Sequence, residues 1–214
     1  GDHRDLHSFP PRRSSDLPSL SGEEAALVME RLGAIGGPQA VAALVRVLSS
    51  GTDPELRQRA ALALGATKSP EAVGPLAEAL RTDRAAAAGA ATALGAIGTA
   101  ESAVALGEAY GRVATSSPFD RTLAERLVAA LAQIGDPAAA DPLASVLESE
   151  PLLNQNDADE LTTYKAIRLN AARALAERGD ERAREPLTQL LQDADLRFEA
   201  QAALDVLDEK ARSL

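Results

Sequence analysis

"ALGAIGTAESAVALGEAY", Ala93–Tyr110, decides the fold of this chain. Its opening "A-L-G" recurs on both sides. Upstream stand "ALGATKSPEAVGPLAEAL" from Ala63 and "RLGAIGGPQAVAALVRVL" from Arg31. Downstream come "ALAQIGDPAAADPLASVL" from Ala130, "ALAERGDERAREPLTQLL" from Ala174 and a partial copy, "ALDVLDEKARSL", from Ala203. The anchoring leucines Leu32, Leu64, Leu94, Leu131, Leu175 and Leu204 are 32, 30, 37, 44 and 29 residues apart. The period is therefore about 30, with two insertions, which is the mark of a repeat architecture.

Each unit reads as two helices. In "DPELRQRAALALG", Asp53–Gly65, Leu56, Ala60, Ala63 and Leu64 fall on one face. In "PEAVGPLAEAL", Val73, Leu76 and Leu80 follow the i, i+3, i+7 spacing of a helix. The equivalents are Val41, Leu44, Leu48; Ala103, Leu106, Tyr110; and Ala140, Leu143, Leu147, whereas Arg184 in the fifth unit leaves Ala183 to turn inward. Composition agrees: 45% of residues are hydrophobic but only 2% aromatic. Ala and Leu carry most of the apolar count, and both enter helices at little entropic cost.

Gly36, Gly98, Gly135 and Gly179 stand where a first helix should end in a left-handed residue, with Lys68 as the departure. Ser69, Asp136 and Asp180 follow as N-caps of the second helices. The inner column Gly33, Gly65, Gly95, Ala132, Ala176 asks for smallness, because alanine replaces glycine in two units. About eleven helices are expected, beginning at the capping-box-like "SGEE" of Ser21–Glu24 and ending in a polar capping helix near Asp193–Arg212.

The pattern resembles the short HEAT-like repeat of phycobilisome lyase subunits. The resemblance rests on "D-P-E-L-R…A-L-G" at Asp53–Gly65, "A-L-G-A-I-G" at Ala93–Gly98 and "G-D-P-A-A-A-D-P-L" at Gly135–Leu143, and it spans roughly residues 21–211. It implies an all-α, right-handed α-solenoid of about five two-helix repeats over residues 18–214, with second helices lining the concave face. It says little about activity, since one architecture hosts many functions.

On that face three columns can be read. Glu71 and Glu101 share one with Gln39, Ala138 and Arg182; Asp141 and Glu185 share a second with Ala42, Gly74 and Val104. Glu78 and Glu108 share a third with Arg46, Ser145 and Gln189. Between them runs a small-residue track of Val45, Ala77, Gly107, Ala144 and Thr188. Two readings stand: a solvated acidic face, or a groove for a protein or peptide bearing basic residues. The insertions, Arg112–Thr122 and Ser149–Asp159, leave the same edge of the solenoid. Phe119, Leu152, Leu153 and Tyr164 are interface anchors there, or else pack back on the helix ends.

Catalytic chemistry finds few residues. The chain has no cysteine, and its two histidines, His3 and His7, precede the first repeat. Ser-His and Cys-His nucleophiles, His-ligated metals and the His-Glu pairs of HEAT-like di-iron hydroxylases are thereby excluded from the repeats. "NQNDADE", Asn154–Glu160, places its oxygens off the EF-hand positions and reads better as a loop ending in an aspartate N-cap. Arg57, Arg168 and Arg197 recur at one position of the first helix. They are read as an Asp–Arg ladder involving Asp136 and Asp180 rather than as anion ligands.

Net charge is −10, and residues 1–17 contribute nothing to it. An acidic solenoid is a poor nucleic-acid binder, which sets aside lesion recognition as in HEAT-like glycosylases. No stretch is apolar enough to span a bilayer. "HSFPPRRSSDL", His7–Leu17, resembles a translated sequencing adapter, so residues 1–17 are expected to be a non-native extension and native upstream repeats to be missing. The expectation is a non-enzymatic scaffold without cofactor or metal. The alternative is a bilin-lyase-like or chaperone subunit acting on a phycobiliprotein.

Overall fold

The computed structural model describes residues 22–151, 153 and 157–213. The described residues form eleven α-helices and no strand. Four antiparallel pairs come first: α1 (Gly22–Ile35) with α2 (Gly37–Ser50), α3 (Pro54–Ala66) with α4 (Val73–Thr82), α5 (Ala87–Ile97) with α6 (Ala100–Ala114), and α7 (Arg121–Gln133) with α8 (Ala140–Glu148). A fifth pairs α9 (Ala158–Ala176) with α10 (Arg184–Leu190), and α11 (Arg197–Arg212) closes the C-terminal end. The expected extension at residues 1–17, the "SGEE" start at Ser21 and the loop anchor Leu152 lie outside the described residues.

The odd-numbered helices stack side by side in one layer and the even-numbered helices in a second, which makes an α-solenoid with one continuous core from Ala25 to Leu207. The repeat leucines Leu64, Leu94, Leu131 and Leu175 are wholly buried, as are Leu44, Leu76, Leu106 and Leu143 from the second helices. The glycine column does what its composition asks. A Cβ built on Gly65 would lie 2.7 Å from Ala93 Cα, and one on Gly33 2.8 Å from the Ala63 carbonyl oxygen. The first helices therefore meet backbone to backbone.

Second helices differ from the simple i, i+3, i+7 reading at their start. In three repeats they open with a 3-10 turn, Pro70–Ala72, Pro137–Ala139 and Glu181–Ala183. The tighter turn rotates the following residue outward. Ala72, Ala139 and Ala183 are the buried ones, while Val73 and Ala140 are half-buried.

Helix ends follow the expected chemistry with two corrections. Gly36, Gly98 and Gly179 are left-handed, with φ of 66°, 76° and 73°, and Lys68 takes the same conformation at φ 54°. Gly135 does not. Helix α7 stops at Gln133, and the fully buried Ile134 turns the chain out in an extended conformation (φ −72°, ψ 117°). The exposed carbonyls are met instead by Arg178, which donates to the Ala132 oxygen at 3.2 Å and the Ile134 oxygen at 2.5 Å. Asp136 and Asp180 cap as expected, accepting from Ala138 N (2.8 Å) and Arg182 N (3.0 Å). Ser69 makes no side-chain cap; its own N–H is taken by Thr67 Oγ1 at 3.2 Å.

The expected Asp–Arg ladder is not formed: of Arg57, Arg168 and Arg197, Arg57 alone meets an aspartate, and that aspartate is neither Asp136 nor Asp180. Arg57 Nε lies 2.5 Å from Asp83 Oδ2, and Lys165 Nζ lies 2.7 Å from Asp193 Oδ2. Asp136 and Asp180 sit beyond the opposite ends of their first helices, roughly 15 Å along a ten-residue rise from the ladder position. Arg168 and Arg197 pair with ring faces, 5.8 Å from the Tyr164 centroid and 4.9 Å from that of Phe198. Asp120 and Asp157 accept backbone N–H groups in the first turn of the following helix, and Asp83 and Asp193 accept them from the turn just before it. Each inter-repeat aspartate fixes the entry of its first helix.

Candidate functional site

Two surfaces carry the residues that the sequence singles out: the outer face of the second helices and the edge where the insertions emerge. On the first, Glu71, Glu78, Glu101, Glu108, Asp141 and Glu185 are all exposed. They do not act alike. Arg81 holds Glu78 at 2.7 Å, and Arg182 reaches across a repeat boundary to Asp141 at 2.9 Å. Arg182 also holds Asp180 at 2.6 Å, and this bonding keeps the Asp180 carboxyl below its ordinary pKa despite partial burial. Glu185 accepts from Gln189 at 3.4 Å. Glu71, Glu101 and Glu108 have no hydrogen-bond or ionic partner among the described residues.

Helix α6 presents Glu101, Val104 and Glu108 at i, i+3 and i+7, one stripe along the helix. Val104 is 52% exposed, an apolar residue framed by two unpartnered carboxylates. Glu71 lies on the neighbouring second helix's entry turn. The small-residue track is closed at Gly107 and Ala144, whereas Val45 and Ala77 are half-buried and Thr188 is exposed. A Cβ on Gly107 would fall 2.9 Å from Pro142 Cβ, and Ala144 is buried, so these residues admit the next helix rather than a ligand's backbone.

At the edge, the aromatic candidates turn inward. Phe119 is 6% exposed and Tyr164 9%. Leu153 packs half-buried on the core. Tyr164 donates to the Ser149 carbonyl oxygen at 2.6 Å. Ser149 Oγ donates to Val146 O at 2.7 Å, which leaves Tyr110 as donor in its 3.3 Å contact with that hydroxyl. Burial raises the Tyr110 pKa, so the phenol keeps its proton. Tyr110 and Tyr164 pin the start of the second insertion to α6 and α9, and Phe119 is buried at the first; burial within the chain already satisfies the driving force that would make these rings anchors for a partner.

Sequence reasoning missed a different feature of this edge. Arg81, Arg84 and Arg112 converge on a cleft of about 420 Å³ between the α4–α5 and α6–α7 turns. A signal was present in "RTDR" and "YGR", basic residues at the same point of successive repeats in an acidic chain. Asp157, within the "NQNDADE" segment, caps α9 by accepting from Asp159 and Glu160 N–H, each at 3.1 Å. Asn154–Asn156 lie outside the described residues. Among the described residues no three potential metal ligands cluster, and no helix is long and apolar enough to cross a membrane.

Comparison with known proteins follows the same outline. A family model described as HEAT repeats matches residues 19–94 and 47–117, and one described as PBS lyase HEAT-like repeat matches residues 123–149 and 167–193. The gap at 118–122 falls in the first insertion, and the gap at 150–166 runs from the second insertion into α9. No curated protein sequence matches the chain. Among solved structures, an engineered protein is similar at TM-score 0.55 and 22% identity, covering 93% of this chain and 100% of that one. Human deoxyhypusine hydroxylase in complex with glycerol is similar at TM-score 0.45 and 20% identity, covering 94% and 86%. The complex of CpcE and CpcF of phycocyanin lyase from Nostoc sp. PCC7120 is similar at 0.46 and 19%, covering 98% of each chain. With five helix pairs stacked on a glycine–alanine seam, and HEAT-type models matching all of them, this chain belongs to the HEAT-like repeat family.

Proposed function

We propose that this repeat scaffold is a non-enzymatic binding protein whose second-helix face receives a basic segment of another protein. One observation carries the reading: the stripe Glu101–Val104–Glu108, with Glu71 beside it, combines an exposed apolar side chain with carboxylates that have no partner among the described residues. Glu78 and Asp141, by contrast, are held by Arg81 and Arg182 and contribute less. An exposed ion pair is worth only ~0.2–1 kcal/mol. Three of them give weak, salt-sensitive binding, to which covering Val104 adds an apolar term. The net charge of −10 adds longer-range attraction for a basic partner and repels nucleic acid.

A bilin-lyase-like role draws on the repeat alone. Tyr110, Phe119 and Tyr164 are committed to packing, and Phe198 is the exposed aromatic among the described residues.

The test is fluorescence anisotropy with a labelled peptide containing Lys and Arg around one Leu. Glu71→Lys/Glu101→Lys/Glu108→Lys should weaken binding roughly tenfold or more while leaving the melting temperature unchanged. Equal affinity of variant and parent would remove this face from consideration.

A further inference from the structure

The basic cleft on the edge is unexpected in a chain of net charge −10. Its rim is Arg81, Arg84 and Arg112, and its floor includes Leu80, Pro118 and Leu123. Arg81 is bonded to Glu78, but Arg84 and Arg112 have no carboxylate partner among the described residues. Asp120 is the acid that lines the cleft, and its carboxylate accepts the Leu123 N–H at 3.1 Å. Positions in the last turns of α4 and α6 account for Arg81 and Arg112 separately, since cations are favoured at helix C-termini. That does not account for Arg84, which lies in the turn beyond α4, nor for the convergence of all three on one apolar floor.

We infer that this cleft binds an acidic segment of a partner protein, with one apolar side chain on the floor and flanking Asp or Glu side chains on Arg84 and Arg112. Guanidinium groups suit carboxylates because they can bond both oxygens at once. The apolar floor favours a peptide over a free anion, which would leave it uncovered. The cleft is lined by none of Glu71, Glu101 and Glu108, although Arg112 stands one turn along α6 from Glu108, so the inference rests on other residues than the basic-segment reading.

The experiment titrates the full chain into a fluorescein-labelled ten-residue peptide with a central Leu flanked by Asp and Glu. A matched Lys peptide, the acidic peptide with Leu replaced by Ser, inorganic phosphate and phosphatidylserine vesicles are the comparison probes. The acidic Leu peptide should bind, weaken in high salt, and weaken roughly tenfold or more with Arg84→Glu/Arg112→Glu. The Ser peptide should bind less well, and Glu71→Lys/Glu101→Lys/Glu108→Lys should not weaken the acidic peptide. Circular dichroism melting checks that the charge-reversed protein is folded, as exposed positions predict. No binding of the acidic Leu peptide, binding unaffected by charge reversal, or binding of phosphate or vesicles alone would overturn the inference.

Discussion

A methyl group added at Gly65 has nowhere to go, because the backbone and side chain of Ala93 lie 2.7 and 2.9 Å from where its Cβ would sit. Backbone cannot rotate away as a side-chain tip can. Gly65→Ala is therefore expected to destabilise by about 1–3 kcal/mol, the usual cost of overpacking, measured by urea denaturation. Gly74→Ala on the second-helix face meets nothing within 4 Å and serves as the control. It should leave stability unchanged or raise it, since alanine favours helix. Phe119 gives a second residue-scale test. As a buried ring, Phe119→Ala should cost ~3–5 kcal/mol in thermal or chemical denaturation, whereas a partner anchor exposed to solvent would cost almost nothing.

At the scale of helices, two of the repeat boundaries carry a polar device in addition to the shared core. Asp83 accepts from Arg57 and from the Ala85 and Ala86 N–H groups, so its pKa is lowered, chiefly by the Arg57 bond. Asp193 repeats the arrangement with Lys165, and Asp180 is likewise lowered by Arg182. A depressed carboxyl stabilises the folded state above its unfolded pKa, and that contribution is lost as pH falls through the folded value. The fold should thus keep this stabilisation at neutral pH. It should lose it progressively from about pH 4 downward, read as falling denaturation midpoints. Asp83→Asn should flatten part of that acid limb. A midpoint that did not change between neutral pH and pH 3 would contradict the role given to these aspartates.

Across the whole molecule, the proposed binding face lies in a different layer from the one that carries the stack. The first helices meet through glycine and alanine and carry the stack; the second helices leave acidic and apolar side chains outward. The repeat period, the helix pairs and the leucine core were legible in sequence because each is local or periodic: Leu94 or Leu143 declares its face by spacing alone. Pairings that cross repeats were not. Nothing in spacing says that Arg57 meets Asp83, that Arg182 neutralises Asp141, or that Pro142 fills the place beside Gly107. Those depend on the rotation between stacked repeats. For Phe119 and Tyr164 spacing left two readings open, and only the fold of the insertions decides for packing back on the helix ends. The central claim is that binding occupies the second-helix layer. Hydrogen–deuterium exchange of the full chain with and without the Lys/Arg peptide tests it most directly. Slowed exchange along residues 70–82 and 100–114, with α3 and α5 unaffected, is the predicted result; protection confined to the first helices would contradict it.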